Sequence, residues 1–571
     1  MINVDRYNIS VLNDKVYNKQ IAIFLFVLFI LLSVCSPGIF LNDEWVFTNQ
    51  LSQLSDGGDL IYNDGKYGYF ENGDISNYFS VRNNVLVYSL AFPLVATPIH
   101  FMFGFISDLT GGDVSLFFNI IYLLSALYLV YFVVARIFKF NVLEYLMTSI
   151  AFIGFSIFIL TNCNIILFSG AQNIPSEVLS LCFTNILLFS VLSVVIYNIV
   201  VNVIEDKTMQ LFTTFAALFT GSLFFWATTC KDHVFVALII ALIVLFIIKS
   251  KEDNRYYALS VVFSGLLLWI RPEIGFGIFI ANVLYIMFIS KSFKKHVAMF
   301  GIVYPLSLFP FFINNYIITG NVLKHPFLMG NSQYGETCVS SLGKLVVASN
   351  PIGILDPSRI MNCINTFVMP HNGGMNLILP FGVFMIAIFY IRKNIGRNEK
   401  ILLVFGLCSI IYYTFHIFSG MHMDQGILPD MRYYSQFYIF ATIFGLSVLN
   451  RSVEFDAKKM IYWLLLSIGL FVPVLLLISN LFIEAFGQSY TGFIQLCNVV
   501  SIVIFLLIIL SLVSYRNNKE NRKYEILIPA MFGLMITLQI ILVIVYSDVK
   551  MNGYPFLTNV GDFLYGVIFI N

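Results

Sequence analysis

Asp43 and Glu44 are adjacent carboxylates that follow the first apolar run of the sequence, at Leu41-Asn42-Asp43-Glu44-Trp45. At the outer edge of a membrane-spanning helix water thins, and carboxylate pKa values rise. A carboxylate tuned in that way can act as a general base near neutral pH. On spacing alone, a charged cap at a helix end is the simpler account of the pair. A second group is cationic. Lys231 and His233 share one short connection, and Arg271 stands beside Pro272 and Glu273 in another. Lys324 and His325 follow a later apolar run, Arg359 and His371 lie in a long polar segment, and His422 precedes Arg432. Arg offers a planar fork that suits phosphate, and Lys offers a point charge. Outward-facing cations at span ends are uncommon and are functional suspects. Several of them around one outer cavity would suit an anionic lipid headgroup. Any one of them is also explained by snorkelling or by an ion pair such as Arg271–Glu273. There is no P-loop, no GxGxxG, no HExxH and no CxxC, so neither ATP-driven pumping nor nicotinamide chemistry is expected.

Composition supplies the elements that would hold these residues at a membrane edge. The 571 residues are 59% hydrophobic and 11% charged, whereas soluble proteins carry roughly 25% charged and about 45–50% apolar residues. The expected class is therefore an all-α polytopic membrane protein. A soluble enzyme, a nucleic-acid binder, a secreted disulfide scaffold and a disordered chain are excluded. The 32 basic and 31 acidic residues nearly cancel, so net charge points to no partner. Placement is more useful, because basic clusters in short loops mark the cytoplasmic side. Such clusters fall at Lys15 and Lys19, Arg136 and Lys139, Lys207, Lys249 to Arg255, Lys291 to Lys295, Arg392 to Lys400, Arg451 to Lys459, and Arg516 to Lys523.

Almost every gap between clusters holds two apolar runs. Together they predict about 13–15 transmembrane helices with the N-terminus inside. Expected spans are 21–41, 114–136, 142–161, 177–204, 208–229, 232–249, 256–271, 273–290, 297–318, 377–391, 400–419, 432–450, 460–482, 493–514 and 525–547. The first is expected to be retained rather than cleaved as a signal peptide. Segments 42–113, 162–176, 319–376, 420–431 and 483–492 then lie outside. Residues 84–107 are apolar enough to span, but a span there would put Arg136 and Lys139 outside, and Pro93 and Pro98 interrupt it. They are expected as helices lying on or dipping into the outer leaflet; the other reading is an ordinary span. Segment 319–376 is too long for a plain connector and is expected to be a lid or binding element. Its Cys338 and Cys363 could pair in an oxidising exterior.

The order of these features resembles the GT-C superfamily of membrane glycosyltransferases, which includes protein O-mannosyltransferases and aminoarabinose transferases. The resemblance is carried by the Asp43-Glu44 pair after the first span, the proline-bearing 84–107 segment, Ile174-Pro175-Ser176-Glu177, and Trp269-Ile270-Arg271-Pro272-Glu273. It continues through Asn315-Tyr316, Thr319-Gly320-Asn321, His325-Pro326-Phe327 and Asp430-Met431-Arg432-Tyr433-Tyr434. It covers about 20–450 in motif order, and the shared order is more specific than any one motif. The long-loop motifs of the family are missing.

The resemblance implies a GT-C-like bundle with extracytoplasmic juxtamembrane helices and a long outer loop. Residues 1–450 would form the catalytic transmembrane domain, and 451–571 would add helices of unread role. It implies an inverting enzyme of the plasma membrane, working on the extracytoplasmic side. A polyprenyl-phosphate-linked sugar would be the donor, and a glycan, lipid or protein the acceptor. Asp43 would be the general base with Glu44 beside it. Arg271, Arg432, Lys231 and His233 would hold the donor phosphate. Tyr433, Glu273, His325 and Arg82 would contact acceptor or donor. Many relatives need no metal, so no cofactor and no metal site are assigned, although a divalent cation at Asp43/Glu44 is compatible with hard oxygen ligands. The alternatives are a lipid or glycan transporter or flippase, and a glycan polymerase or ligase. A transporter would show internal repeats and midplane polar residues, whereas here the polar residues collect at one edge.

Overall fold

Within a bilayer the backbone must satisfy its own hydrogen bonds, so long apolar runs become helices. The computed structural model describes residues 14–35, 37–39, 44–58, 60, 66–67, 81–82, 85–86, 88–112, 114–138, 174–323, 326, 382–383, 386–387, 395–411, 434–486 and 490–545. The helices among them are α1 Asp14–Val34, α2 Glu44–Asp56, α3 Ala91–Thr110, α4 Ser115–Phe138, α5 Ser176–Val201, α6 Lys207–Phe219, α7 Leu223–Trp226 and α8 His233–Lys249. They continue with α9 Asn254–Ile270, α10 Pro272–Phe288, α11 Phe293–Ser307, α12 Phe309–Thr319 and α13 Arg397–Ser409. The last are α14 Ser435–Ser452, α15 Ala457–Phe486, α16 Tyr490–Asn517 and α17 Tyr524–Val545. A two-stranded antiparallel ribbon, β1 Val81–Arg82 and β2 Val85–Leu86, precedes α3. Among the described residues, seven helical segments are long and apolar enough to cross a membrane. The chain is an all-α polytopic membrane protein.

Helix α8 is apolar on every side, and burial follows from that pattern. It sits against α5, α9 and α13, and α5 in turn packs on α1, α3 and α6. The C-terminal α17 returns to this core, where Phe532 meets Phe212 of α6 edge-on at 5.8 Å. One expected span, 208–229, is broken. Helix α6 stops at Phe219 with Thr220 as its cap, and α7 is a single turn; Gly221 between them packs against the Tyr438 ring. The expected span 297–318 is divided at Leu308, between α11 and α12, where Pro305 and Pro310 remove amide donors.

The two ends of the bundle are chemically distinct. At one end Arg397 donates to the C-terminal carbonyls of Ile247 and Ile248 on α8, and Asn398 donates to the Asn202 carbonyl at 2.8 Å. Glu399 pairs with Arg451, and Glu525 pairs with Lys459 at 3.0 Å. These contacts join connections that the basic clusters assign to a single side. At the other end Glu44 meets Cys230, Lys66 meets Glu177, Arg271 meets Asp232, and the Leu90 amide donates to Asn314. Among the described connections, those that the charge pattern assigns to one side contact one another, and so do these at the other end.

Helix α3 corrects one expectation. Its prolines do not divide it: Pro93 lies in the first turn, and the helix runs on through Pro98 to Thr110. Although long enough to cross, it stays at the Glu44 end. Phe92 faces Phe235 in the first turn of α8, His100 meets Ser180 in the second turn of α5, and Phe103 packs on Phe117, Phe118 and Phe183. All of these partners lie in the opening turns of their helices.

Candidate active site

Proline chemistry places the arginine. Pro272 occupies the first position of α10, where its missing N–H costs nothing, and it forces the preceding residue into an extended conformation. Arg271 accordingly has φ −145° and ψ 92°, closes α9 and opens α10. Its side chain leaves both helices and meets the start of α8. Nε donates to Asp232 Oδ2 at 2.7 Å and Nη2 donates to Asp232 Oδ1 at 2.6 Å, a two-pronged pair that fixes the guanidinium plane. Nη1 reaches Glu273 Oε1 at 3.4 Å. The expected Arg271–Glu273 pair is thus the weaker contact, and Asp232 is the main partner.

The turn 227–232 holds the second cation, and α5 holds the turn. Asn185 donates to the carbonyls of Thr229 at 2.7 Å and Lys231 at 2.6 Å. Lys231 is buried; its ammonium lies 4.5 Å from the Tyr88 ring centre and 5.4 Å from that of Phe47, and it donates to the Tyr88 hydroxyl at 3.3 Å. Those two rings stack at 5.0 Å, and Arg271 approaches the same Tyr88 ring at 5.8 Å. His233 opens α8 with its ring against Trp226 at 5.2 Å. Cation–π contact of this kind compensates a desolvated ammonium without cancelling its charge.

Glu44 is the first residue of α2. It is fully buried, and its Oε2 accepts from the Cys230 amide at 3.3 Å. The α2 helix is buried from Glu44 to Gln53, including Thr48, Asn49, Gln50 and Ser52. Its polar side chains are used for docking. Gln50 donates to the Tyr88 carbonyl at 2.9 Å, and Asn49 exchanges hydrogen bonds with the Tyr67 backbone at 3.0 and 3.1 Å.

A polar latch flanks the cluster. Lys66 lies 3.1 Å from both Asp56 and Glu177, and the Tyr67 hydroxyl donates to Glu177 at 2.8 Å. Burial opposes the Lys66 charge, but the hydrogen bonds to Glu177 and Asp56 outweigh it and hold the ammonium above its usual range. Burial, reinforced by the Glu177 charge, pushes the Tyr67 phenol up to about 12. The Lys66 hydrogen bond leads in holding Asp56 below the ordinary carboxylate value.

The structure therefore brings together Glu44, the Lys231–His233 turn and the Arg271–Glu273 turn, three segments far apart in sequence. Arg82 sits in β1 opposite Val85, and only its strand position is described. Asp43, Arg432, Tyr433 and His325 lie outside the described residues, as do Lys324, Arg359, His371, His422, Cys338 and Cys363. Asp232 and Tyr88 are additions. Asp232 stood between Lys231 and His233 in sequence, which was a usable signal; Tyr88 gave none, since only packing brings it beside Lys231. Among the described residues no group of three His, Cys, Asp or Glu side chains converges as a metal site.

No family model and no curated protein matches the sequence. Two solved structures do, both of ArnT from Cupriavidus metallidurans. The form bound to undecaprenyl phosphate is 12% identical, with 93% of this chain and 78% of that chain covered and a TM-score of 0.43. The apo form is 11% identical, with 92% and 76% covered and a TM-score of 0.44. This chain is similar to both. Likeness at that level assigns neither a ligand nor a reaction here, so function is argued from the cluster itself.

Proposed function

We propose that the chain is a GT-C-like inverting glycosyltransferase that moves a sugar from a polyprenyl-phosphate carrier to an acceptor hydroxyl or amine on the extracytoplasmic face of the membrane. The observation that carries this reading is the approach of Lys231 and Arg271 to the same Tyr88 ring at one end of the bundle, with Glu44 on the Cys230 amide, Glu273 near Arg271 and His233 at the first position of α8. Asp43 adjoins Glu44 and takes the acceptor proton. The acceptor lone pair forms the new bond at the anomeric carbon as the carbon–oxygen bond to phosphate breaks, and the electron pair leaves on the lipid phosphate. Lys231 and Arg271 stabilise that charge, and Arg432 joins them. Asp232 positions Arg271 through its two-pronged contact. Glu44 ties the start of α2 to the turn bearing Lys231. Placement of this end outside follows from the basic clusters at the opposite end.

The test is incubation of the purified protein in lipid nanodiscs with a panel of polyprenyl-phosphate sugars. Donor consumption is expected, and Asp43→Asn should abolish it with the protein still folded. Lys231→Ala should lower the rate by about 10²–10³, the usual cost of removing one transition-state donor. Full transfer in Asp43→Asn would remove that residue as base, and movement of intact donor across the bilayer without consumption would favour the flippase instead.

A further inference from the structure

Two cysteines meet in the clamp that holds the Lys231 turn. Cys182 lies in the second turn of α5, one helical turn before Asn185, and Cys230 lies in the 227–232 turn. Their sulfurs stand 3.4 Å apart and both residues are buried. The same elements approach at neighbouring atoms: Cys230 Sγ lies 3.6 Å from the Val178 carbonyl oxygen, and Cys182 Sγ lies 3.9 Å from that of Thr228. Asn185 fixes the flanking carbonyls of Thr229 and Lys231. A disulfide needs sulfurs about 2.05 Å apart. Closing the gap takes about 1.4 Å, within reach of small side-chain rotations on a backbone that is already docked.

We propose that Cys182 and Cys230 form a disulfide that staples the turn bearing Lys231, Asp232 and His233 to α5. Two S–H bonds are lost and one S–S bond forms; two electrons and two protons pass to a disulfide-bearing exchange partner, which leaves as its dithiol. The thiolate of one cysteine first forms a mixed disulfide with that partner, and the second thiolate displaces it. The Cys230 amide also donates to Glu44, so the staple would fix α2, the turn and α5 as one unit. Only the oxidising compartment is borrowed from the functional reading. The bond itself is read by mass, independently of any transfer assay.

The experiment uses the full chain in nanodiscs, equilibrated with oxidised glutathione or with dithiothreitol and then quenched with N-ethylmaleimide. Digestion without reductant should give a linked pair of peptides containing Cys182 and Cys230, which disappears after dithiothreitol. Thermal unfolding of the oxidised protein should come at higher temperature than that of the reduced protein. Recovery of both cysteines alkylated after the oxidised-glutathione arm would overturn the proposal, as would a link from Cys230 to Cys35 or Cys408 instead. Because the wild-type chain gives the readout, misfolding of Cys182→Ser would not leave the question open.

Discussion

At the scale of single residues, the Arg271–Asp232 contact separates positioning from simple charge. Both side chains are nearly excluded from solvent, at 11% and 4% exposed. Removing one partner of a buried, hydrogen-bonded pair typically costs about 3–5 kcal/mol, because the other charge is left uncompensated. Asp232→Asn is therefore expected to lower the unfolding temperature and to weaken donor use. Glu273→Gln, which loses only a 3.4 Å contact, should do much less on both measures. Thermal unfolding and donor kinetics of the two variants, run side by side, check this; equal losses would mean that the two-pronged geometry confers nothing special. Arg271→Lys is expected to behave like a loss rather than a conservative change, since an ammonium cannot reproduce the fork.

At the scale of elements, the latch of Lys66 and Tyr67 on Glu177 ties the segment after α2 to the start of α5. Trp45, next to Glu44, stacks near Tyr67 at 6.3 Å, so the latch supports the start of α2. Tyr67→Phe removes a hydrogen bond to a carboxylate, worth about 1.5 kcal/mol in this partly exposed setting. Faster amide exchange in α2 and a raised donor KM are expected, with kcat less affected. Hydrogen exchange by mass spectrometry and steady-state kinetics would read the two effects, and unchanged α2 exchange would dismiss the latch.

Its pH dependence has a definite sign. Tyr67 and Lys66 have raised values in the fold, so their contribution is complete below their ordinary pKa values and is lost as pH climbs through the raised ones. Asp56 is lowered, so its contribution is present above its ordinary value and is lost as pH falls through the lowered one. Latch docking should thus be flat from about pH 5 to pH 9 and loosen in stronger acid. Protection factors at residues 66–67, that is exchange rates corrected for their intrinsic pH dependence, that changed across neutral pH would contradict this.

At the scale of the whole molecule, packing depends on small residues where helices approach closely. Gly277 on α10 faces the Cys408 carbonyl on α13, and a Cβ there would collide with that backbone oxygen. Small residues serve this purpose in membrane helix pairs. Gly277→Ala is expected to cost about 1–3 kcal/mol as overpacking. Gly301→Ala, whose Cβ would meet no atom within 4 Å, serves as the neutral control. Folded yield in detergent and unfolding temperature measure the difference.

The membrane class, most of the described long apolar helices and the grouping of the described connections at two ends follow from the sequence alone. Backbone hydrogen bonding forces an apolar run into a helix, and basic residues avoid one side of the bilayer. Arg271, Lys231 and Glu44 were likewise legible as outliers in a chain poor in charge. Three things were decided only by the tertiary structure. Asp232, not Glu273, is the partner that orients Arg271. Glu44 is buried and accepts from the Cys230 amide, and Tyr88 lies beside the Lys231 ammonium. The physical reason is common to all three: burial and pairing are set by contacts between segments distant in the chain, and hydropathy or spacing along one segment does not encode which distant surface will cover it.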